Sequence, residues 1–88
     1  MKIIKIGAMW CPSCIIVNKY WNKLKEQFND IEFVEYDIDM DSEMVEEFSV
    51  GDILPVFIFL KDNSEIKRVI GEKKFDEMCD IIGDVFGL

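Results

Sequence analysis

Hydrophobic residues follow two periodicities along the chain, and the first 38 residues contain both of them. KIIKIG at 2–7 is an isoleucine-rich run that ends at a glycine, which predicts a short buried strand. Apolar residues then recur every three or four positions, as on one helical face: Val17, Tyr20, Trp21, Leu24 and Phe28. IEFVEYDI at 31–38 is β-branched and aromatic and predicts a second strand. This strand, helix and strand form a βαβ unit, so the two strands should be parallel.

A short helix is predicted next. Asp41 or Ser42 can cap its first turn, and the helix should end near Gly51. The residues that we expect to face inward from it are Met44, Val45 and Phe48.

The remaining pattern predicts a hairpin and a closing helix. PVFIFL at 55–60 is continuously apolar, IKRVIG at 66–71 alternates, and the turn residues KDNSE separate them. The last helix should present an apolar face formed by Phe75, Met78, Cys79, Ile82, Val85 and Phe86. The predicted order of elements is therefore βαβαββα.

Length and composition predict one folded domain, residues 1–88. Half of the residues are apolar, and the chain contains no internal repeat or linker. No apolar run approaches the roughly 18 residues of a membrane span, and MKIIKIG has too few apolar positions for a signal peptide. The formal charge of −8 repels nucleic-acid phosphates and anionic lipid. We expect a cytoplasmic monomer that binds neither nucleic acid nor membrane and carries no cofactor.

The segment AMWCPSC carries the candidate chemistry. Cys11 and Cys14 lie three positions apart, just after a strand and at the start of a helix inside a βαβ pattern, and this context is more specific than the motif alone. The helix N-terminus favours a thiolate, so Cys11 is the expected nucleophile. Cys14, one turn later, can attack a mixed disulfide on Cys11. Pro12 fits the first turn of the helix, where its missing N–H costs nothing.

Other roles for the cysteines are less well supported by the sequence. A structural disulfide across so short a loop would restrict the unfolded chain very little. A zinc site needs about four ligands, and the chain has no histidine and only Cys79 to spare. We therefore predict no metal site within one chain, although a zinc or iron-sulfur site shared between two molecules stays an alternative. Cys79 itself lies on the apolar face of the last helix and is expected to fill the core.

MWCPSC resembles the active-site stretch of thioredoxins, in which tryptophan directly precedes the first cysteine, and Cys-Pro-x-Cys is also similar to glutaredoxins. The resemblance covers nearly the whole chain. ILPVFIFLKDNSEI at 53–66 is similar to the stretch in which a cis-proline begins a core strand, and Gly71 matches the glycine after the last strand. It implies an α/β, thioredoxin-like fold with a four-stranded mixed sheet flanked by helices, without the extra N-terminal strand and helix of the family.

The resemblance also implies a thiol-disulfide oxidoreductase. Cys11 and Cys14 would exchange with protein disulfides, and a reductase, either thioredoxin reductase or the glutathione system, would supply electrons. Substrate would bind at Met9, Trp10, Pro12, Leu54 and Pro55, with Pro55 in the cis form. The alternatives are a glutathione-dependent, glutaredoxin-like reductase, and a non-catalytic module that binds a metal or a partner through the same cysteines. GEKKFDE contains one glycine where glutaredoxins use a Gly-Gly-x-x-Asp type segment, which argues against glutathione.

Two charged residues depart from the thioredoxin pattern. Lys5 stands six residues before Cys11, where thioredoxins usually carry a buried aspartate, and Glu35 stands where the partner lysine of that aspartate is expected. The two charges are thus exchanged. Either Lys5 and Glu35 tune charge and proton transfer at the cysteines, or they are solvent-facing strand residues.

Overall fold

Four strands form one mixed sheet with the order β2-β1-β3-β4 in the computed structural model, which describes residues 1–88. The elements are β1 (Lys2–Gly7), α1 (Pro12–Gln27), β2 (Glu32–Asp37), α2 (Ser42–Glu46), β3 (Val56–Lys61), β4 (Ser64–Ile70) and α3 (Phe75–Phe86). The predicted order βαβαββα and the four-stranded mixed sheet are confirmed. None of the helices has the length and apolar character needed to cross a bilayer.

β1 occupies the centre of the sheet. It pairs in parallel with β2, as the βαβ pattern predicts, and antiparallel with β3. Both faces of β1 are covered, so every residue from Ile3 to Gly7 is buried. A strand covered on both faces reads as a nearly continuous apolar run, which explains the isoleucine-rich sequence.

The core divides into two clusters, one on each face of the sheet. The larger cluster lies between the sheet and the helices α1 and α3, where Trp21 packs edge-on against Phe33 with ring centroids 5.3 Å apart. Its fully buried members include Ile3, Val17, Leu24, Phe57, Phe59, Met78 and Ile82. The smaller cluster joins Ile4, Ile6, Val56 and Ile58 to Val45 of α2 and to both motif cysteines, Cys11 and Cys14.

The short helix α2 differs from the prediction. It ends at Glu46, well before Gly51, and a helix of five residues turns only one residue, Val45, fully toward the sheet. Met44 is 44% exposed, so its predicted inward position is wrong. Asp41 occupies the N-cap position, but its carboxylate accepts the Asp37 backbone N–H at 2.9 Å and makes no cap to α2.

The β3–β4 hairpin is tighter than predicted. Only Asp62 and Asn63 form the turn, both with positive φ (53° and 65°), which is typical of a two-residue type I′ connection. The strands therefore continue through residues that the sequence pattern assigned to the loop. The β3–β4 ladder also contains a register shift. Phe59 pairs with Lys67, whereas the next residue of β3, Leu60, pairs with Glu65, so that Ile66 is left without a partner in the ladder.

We predict that Ile58→Val lowers the free energy of unfolding by about 1 kcal/mol, because it removes one buried methyl group from the smaller core cluster. The same change at Ile66, which is exposed on β4, should alter stability by less than about 0.5 kcal/mol. Urea denaturation followed by circular dichroism measures both. Equal losses would show that the α2 face of the sheet is not packed as described.

Candidate active site

Cys11 lies where the chain turns from β1 into α1. Its backbone N–H donates to the Ala8 carbonyl at 3.2 Å, and it is the N-cap residue of α1, with extended backbone angles. Pro12 follows as the first helical residue. The Cys11 Sγ accepts the Cys14 backbone N–H at 3.3 Å, which is one of the free donors of the first helical turn. This donor stabilises negative charge on the sulfur.

Cys14 lies deeper, with only 2% of its surface exposed. Burial is the largest cause that raises its pKa to about 11, and the hydrogen bond with the Cys11 side chain acts in the same direction. The Ala8 backbone and the positive charge of Lys5 act in the opposite direction. All three cysteines are free thiols, so the structure describes the dithiol form.

Gly7 allows Cys14 to pack this closely on β1. A Cβ atom at Gly7 would lie 3.0 Å from the Cys14 Sγ and 3.4 Å from its Cβ. Any larger residue would therefore push the first turn of α1 away from the strand.

Lys5 is buried beneath α1, and its Nζ lies 2.7 Å from the Glu35 carboxylate on β2. The two residues are also direct partners in the β1–β2 ladder. The ammonium donates to Asn18 Oδ1 and lies 4.7 Å from the centroid of the Trp21 ring. Asn18 was not a candidate from the sequence, although it follows Cys14 by four residues and therefore shares its helical face.

Carboxylates at the end of β2 and just after it hold the segment that precedes Cys11. Asp37 accepts the Met9 backbone N–H at 3.2 Å, and Asp39 accepts the Trp10 indole N–H at 2.9 Å. The pKa of Asp37 is lowered by the backbone N–H groups of Asp39 and Met40 that it accepts. Sequence analysis missed these acceptors. Because parallel strands end at the same edge of a sheet, the run DIDMD at 37–41, which begins with the last residue of β2, could have placed them beside the motif.

The remaining predicted site residues lie at the same end of the molecule. The Leu54–Pro55 peptide is cis, as the resemblance implied. Leu54 belongs to the same packed cluster as the two cysteines, and the Pro55 carbonyl accepts the Gly71 N–H at 2.8 Å. None of the chain's loop hydrogen bonds uses the backbone of Leu54.

The apolar surface around the motif is open. Trp10 is 64% exposed, and Met9 and Ile53 are exposed as well. Pro12, at the start of α1, is also on the surface. This surface contrasts with the buried sulfur atoms, which lie just beneath it.

Cys79 lies on α3, outside the cysteine motif. It is partly buried at the margin of the larger cluster, so the prediction of a core position holds only in part. Burial raises the pKa of its thiol, and Asp76 and Asp80 act in the same direction. The side-chain amide of Gln27 donates toward its Sγ at 3.6 Å.

Acidic and cysteine side chains form no group of three or more that could hold a metal ion. Ser13, which lies between the two cysteines, donates a hydrogen bond to the Glu72 carboxylate at 3.2 Å. This contact places a negative charge beside the motif.

A family model and individual relatives in the comparison with known proteins are all thioredoxins. A sequence model of the family Thioredoxin matches residues 1–84. Thioredoxin H2 of Arabidopsis thaliana is 34% identical over 76 residues, which make up 86% of this chain and 56% of the relative. A thioredoxin H-type protein of Fagopyrum esculentum is 32% identical over 76 residues, which make up 86% of this chain and 64% of that protein. The chain thus spans between half and two thirds of the length of these curated relatives.

Solved structures show the same similarity. The crystal structure of thioredoxin NaTrxh from Nicotiana alata superposes with a TM-score of 0.82 at 31% identity, covering 92% of this chain and 70% of that one. The Fasciola hepatica thioredoxin gives a TM-score of 0.83 at 26% identity over 92% of this chain and 77% of its own. The thioredoxin-like fold that the resemblance implied is therefore confirmed.

We predict that the Cys14 thiol of the reduced protein titrates near pH 11, above its ordinary pKa of 9.0, because burial disfavours the thiolate. The Cβ chemical shift of Cys14 in protein labelled with ¹³C at cysteine measures this directly. A midpoint at or below 9.0 would show that the sulfur is more solvated than its packing against Gly7 implies.

Proposed function

The chain belongs to the thioredoxin family, and on that premise we propose that it is a thiol-disulfide oxidoreductase acting on protein disulfides through Cys11 and Cys14. One observation carries the proposal. The Cys11 sulfur accepts an N–H group at the N-terminus of α1, and the Cys14 sulfur lies in the same helical turn. A nucleophile and a resolving thiol are thereby held together, so that the second step is intramolecular.

In the first step the Cys11 thiolate attacks one sulfur of the substrate disulfide. A bond forms between Cys11 Sγ and that sulfur, and the other substrate sulfur leaves as a thiolate that takes a proton from solvent. In the second step Cys14 loses its proton and attacks Cys11 Sγ. The Cys11–Cys14 disulfide forms, the substrate departs with the electron pair of the broken bond, and the substrate has gained two electrons.

Substrate would dock on the open surface formed by Met9, Trp10 and Pro12. The proposed site extends to Leu54 and Pro55, whose side chains are buried. Met9 and Trp10 supply exposed apolar area. The contribution of Leu54 would come from its backbone, since its side chain is buried and its N–H and C=O have no partner among the loop hydrogen bonds. An extended substrate segment could pair with these groups.

We propose that the chain acts in the cytoplasm as a monomer, without a cofactor, and that thioredoxin reductase or the glutathione system returns it to the dithiol. Of these two electron donors, the negative charge of the chain favours thioredoxin reductase over glutathione. Glutathione is an anion near neutral pH, and the chain has a formal charge of −8, with Glu72 held against Ser13 inside the motif.

Substitution of either motif cysteine separates the two chemical steps. Cys11→Ser should abolish reduction of insulin disulfides, because the nucleophile is lost. Cys14→Ser should still attack but accumulate a mixed disulfide, which is visible as an adduct by mass spectrometry. Turnover of Cys14→Ser at the wild-type rate without an adduct would instead indicate a mechanism that uses one cysteine.

Cys79→Ala is the matched control, because it removes a thiol outside the motif. We predict nearly unchanged insulin reduction and a loss of about 1 kcal/mol in the free energy of unfolding, from reduced packing at the core margin. Loss of turnover in a folded Cys79→Ala protein would place Cys79 in the reaction.

The electron donor is tested by running the insulin assay with NADPH and thioredoxin reductase, or with glutathione and glutathione reductase. We expect faster turnover with thioredoxin reductase. Turnover with glutathione alone would support the glutaredoxin-like alternative.

A further inference from the structure

Lys5 is the only charged residue in the buried set, with 5% of its surface exposed. Burying an ammonium group is costly unless other groups replace the water that it loses. A hydrophobic residue at this position, between Ile3 and Gly7 on the α1 face of β1, would avoid that cost. The chain nevertheless holds a cation directly under the helix that carries both cysteines.

Three neighbouring groups contact the Lys5 ammonium. Its Nζ makes an ion pair with Glu35 at 2.7 Å, donates to Asn18 Oδ1 and lies over the Trp21 ring. A carboxylate, an amide oxygen and the face of an aromatic ring each attract a cation. The cation is therefore fixed in place from both sides, by β2 and by α1.

A cavity connects this ion pair with the resolving cysteine. It is open to solvent, has a volume of about 260 Å³, and is lined in part by Lys5, Gly7, Cys14, Asn18, Glu35 and Asp37. Since one water molecule takes up about 30 Å³ of the liquid, the cavity has room for several. Water can thus reach Cys14 from the side of Glu35, whose side chain is 49% exposed.

We propose, on the basis of the function proposed above, that the Lys5–Glu35 pair serves the resolving step. The Lys5 ammonium stabilises the Cys14 thiolate through space, and the Glu35 carboxylate accepts the Cys14 proton through water in the cavity. Lys5 is thus a positioning residue that acts through its charge. This polarity is opposite to that of an acid beneath the cysteines, whose negative charge would oppose the thiolate.

The proton and electron balance of the step is complete. The Cys14 proton passes to Glu35 and from there to solvent, and the sulfur's electron pair forms the bond to Cys11 Sγ. The bond between Cys11 and the substrate breaks, and the departing substrate sulfur takes the electron pair and a proton. No further oxidant or reductant is needed.

Other groups around Cys14 are less suited to accept the proton. Asp37 accepts the backbone N–H groups of Met9, Asp39 and Met40, which keep its pKa low, so it binds a proton weakly. Asp41 accepts the Asp37 N–H. The neighbour of Lys5 on β3 is apolar, Phe57. The titratable groups around Cys14 are Cys11, the N-cap residue of α1, Lys5 from β1, Glu35, Tyr36 and Asp37 from β2, and Asp41, the N-cap residue of α2.

The first test is Lys5→Met. We expect it to raise the Cys14 pKa by about one unit and to slow release of substrate from the mixed disulfide about tenfold at pH 7, since a tenfold change in thiolate equals one unit. Lys2→Met is the matched control. Lys2 pairs with Glu32 in the same β1–β2 ladder, at 3.6 Å and open to solvent on the other face of the sheet. It should leave both values unchanged.

The second test is Glu35→Gln, at a half-exposed position where folding should be unaffected. Removing the carboxylate leaves the Lys5 charge unopposed, so the Cys14 pKa should fall, yet release of substrate should slow because the proton acceptor is lost. A role in folding alone would not produce these opposite changes. This result therefore tests the proposal even if Lys5→Met does not fold.

Titration of the Cys14 Cβ resonance and stopped-flow measurement of single-turnover substrate release provide the two readouts. If wild type reduces disulfides and all variants match its curves, Lys5 and Glu35 are ordinary strand residues, and this inference alone is overturned. If wild type reduces no disulfide, the proposed function fails and this inference with it.

Discussion

The close packing of α1 on β1 is the constraint on which the rest of the site depends. Gly7 has no side chain, and a Cβ there would come within 3.0 Å of the Cys14 sulfur. The first turn of α1 can therefore settle directly on the end of the strand. Cys14 becomes buried, and Cys11 is left at the free N–H groups of the helix start. The two sulfur atoms are three residues apart but occupy different environments.

That difference divides the chemistry between two similar side chains. Cys11 accepts a backbone N–H, whereas burial raises the pKa of Cys14 and disfavours its thiolate. The same packing places Lys5 under the helix, close enough that its charge opposes the effect of burial on Cys14. The fold thus makes the resolving thiol difficult to ionise and supplies a cation that partly offsets this.

Most of the fold could be predicted because its signals are local. The isoleucines of β1, the apolar face of α1 and the cysteine pair lie within 28 residues of each other and carry strong periodicities. α2 was harder, since five residues are too few for a helical period, and Met44 was misplaced for that reason. The tight turn at Asp62 and Asn63 depends on positive φ at both residues, which the wider polar run KDNSE concealed.

The site was only partly predictable, because its remaining contacts join residues far apart in the chain. Whether Lys5 was buried depended on helix α1 covering it, and sequence alone left that choice open. Asn18 and Asp39 act through hydrogen bonds across 13 and 29 positions, so no local pattern marked them. A lysine between the isoleucines of the central strand was nevertheless a signal, since such a position is costly to fill with a charge.

The central claim is that Cys11 and Cys14 form one reversible dithiol-disulfide couple. Equilibration of the wild-type protein in mixtures of reduced and oxidised dithiothreitol, followed by alkylation and peptide mass mapping, tests it directly. The account predicts that both cysteines lose their reactivity together in a single two-electron transition, while Cys79 stays alkylated throughout. Full alkylation of Cys11 and Cys14 under the most oxidising mixture, or a disulfide from either one to Cys79, would contradict it.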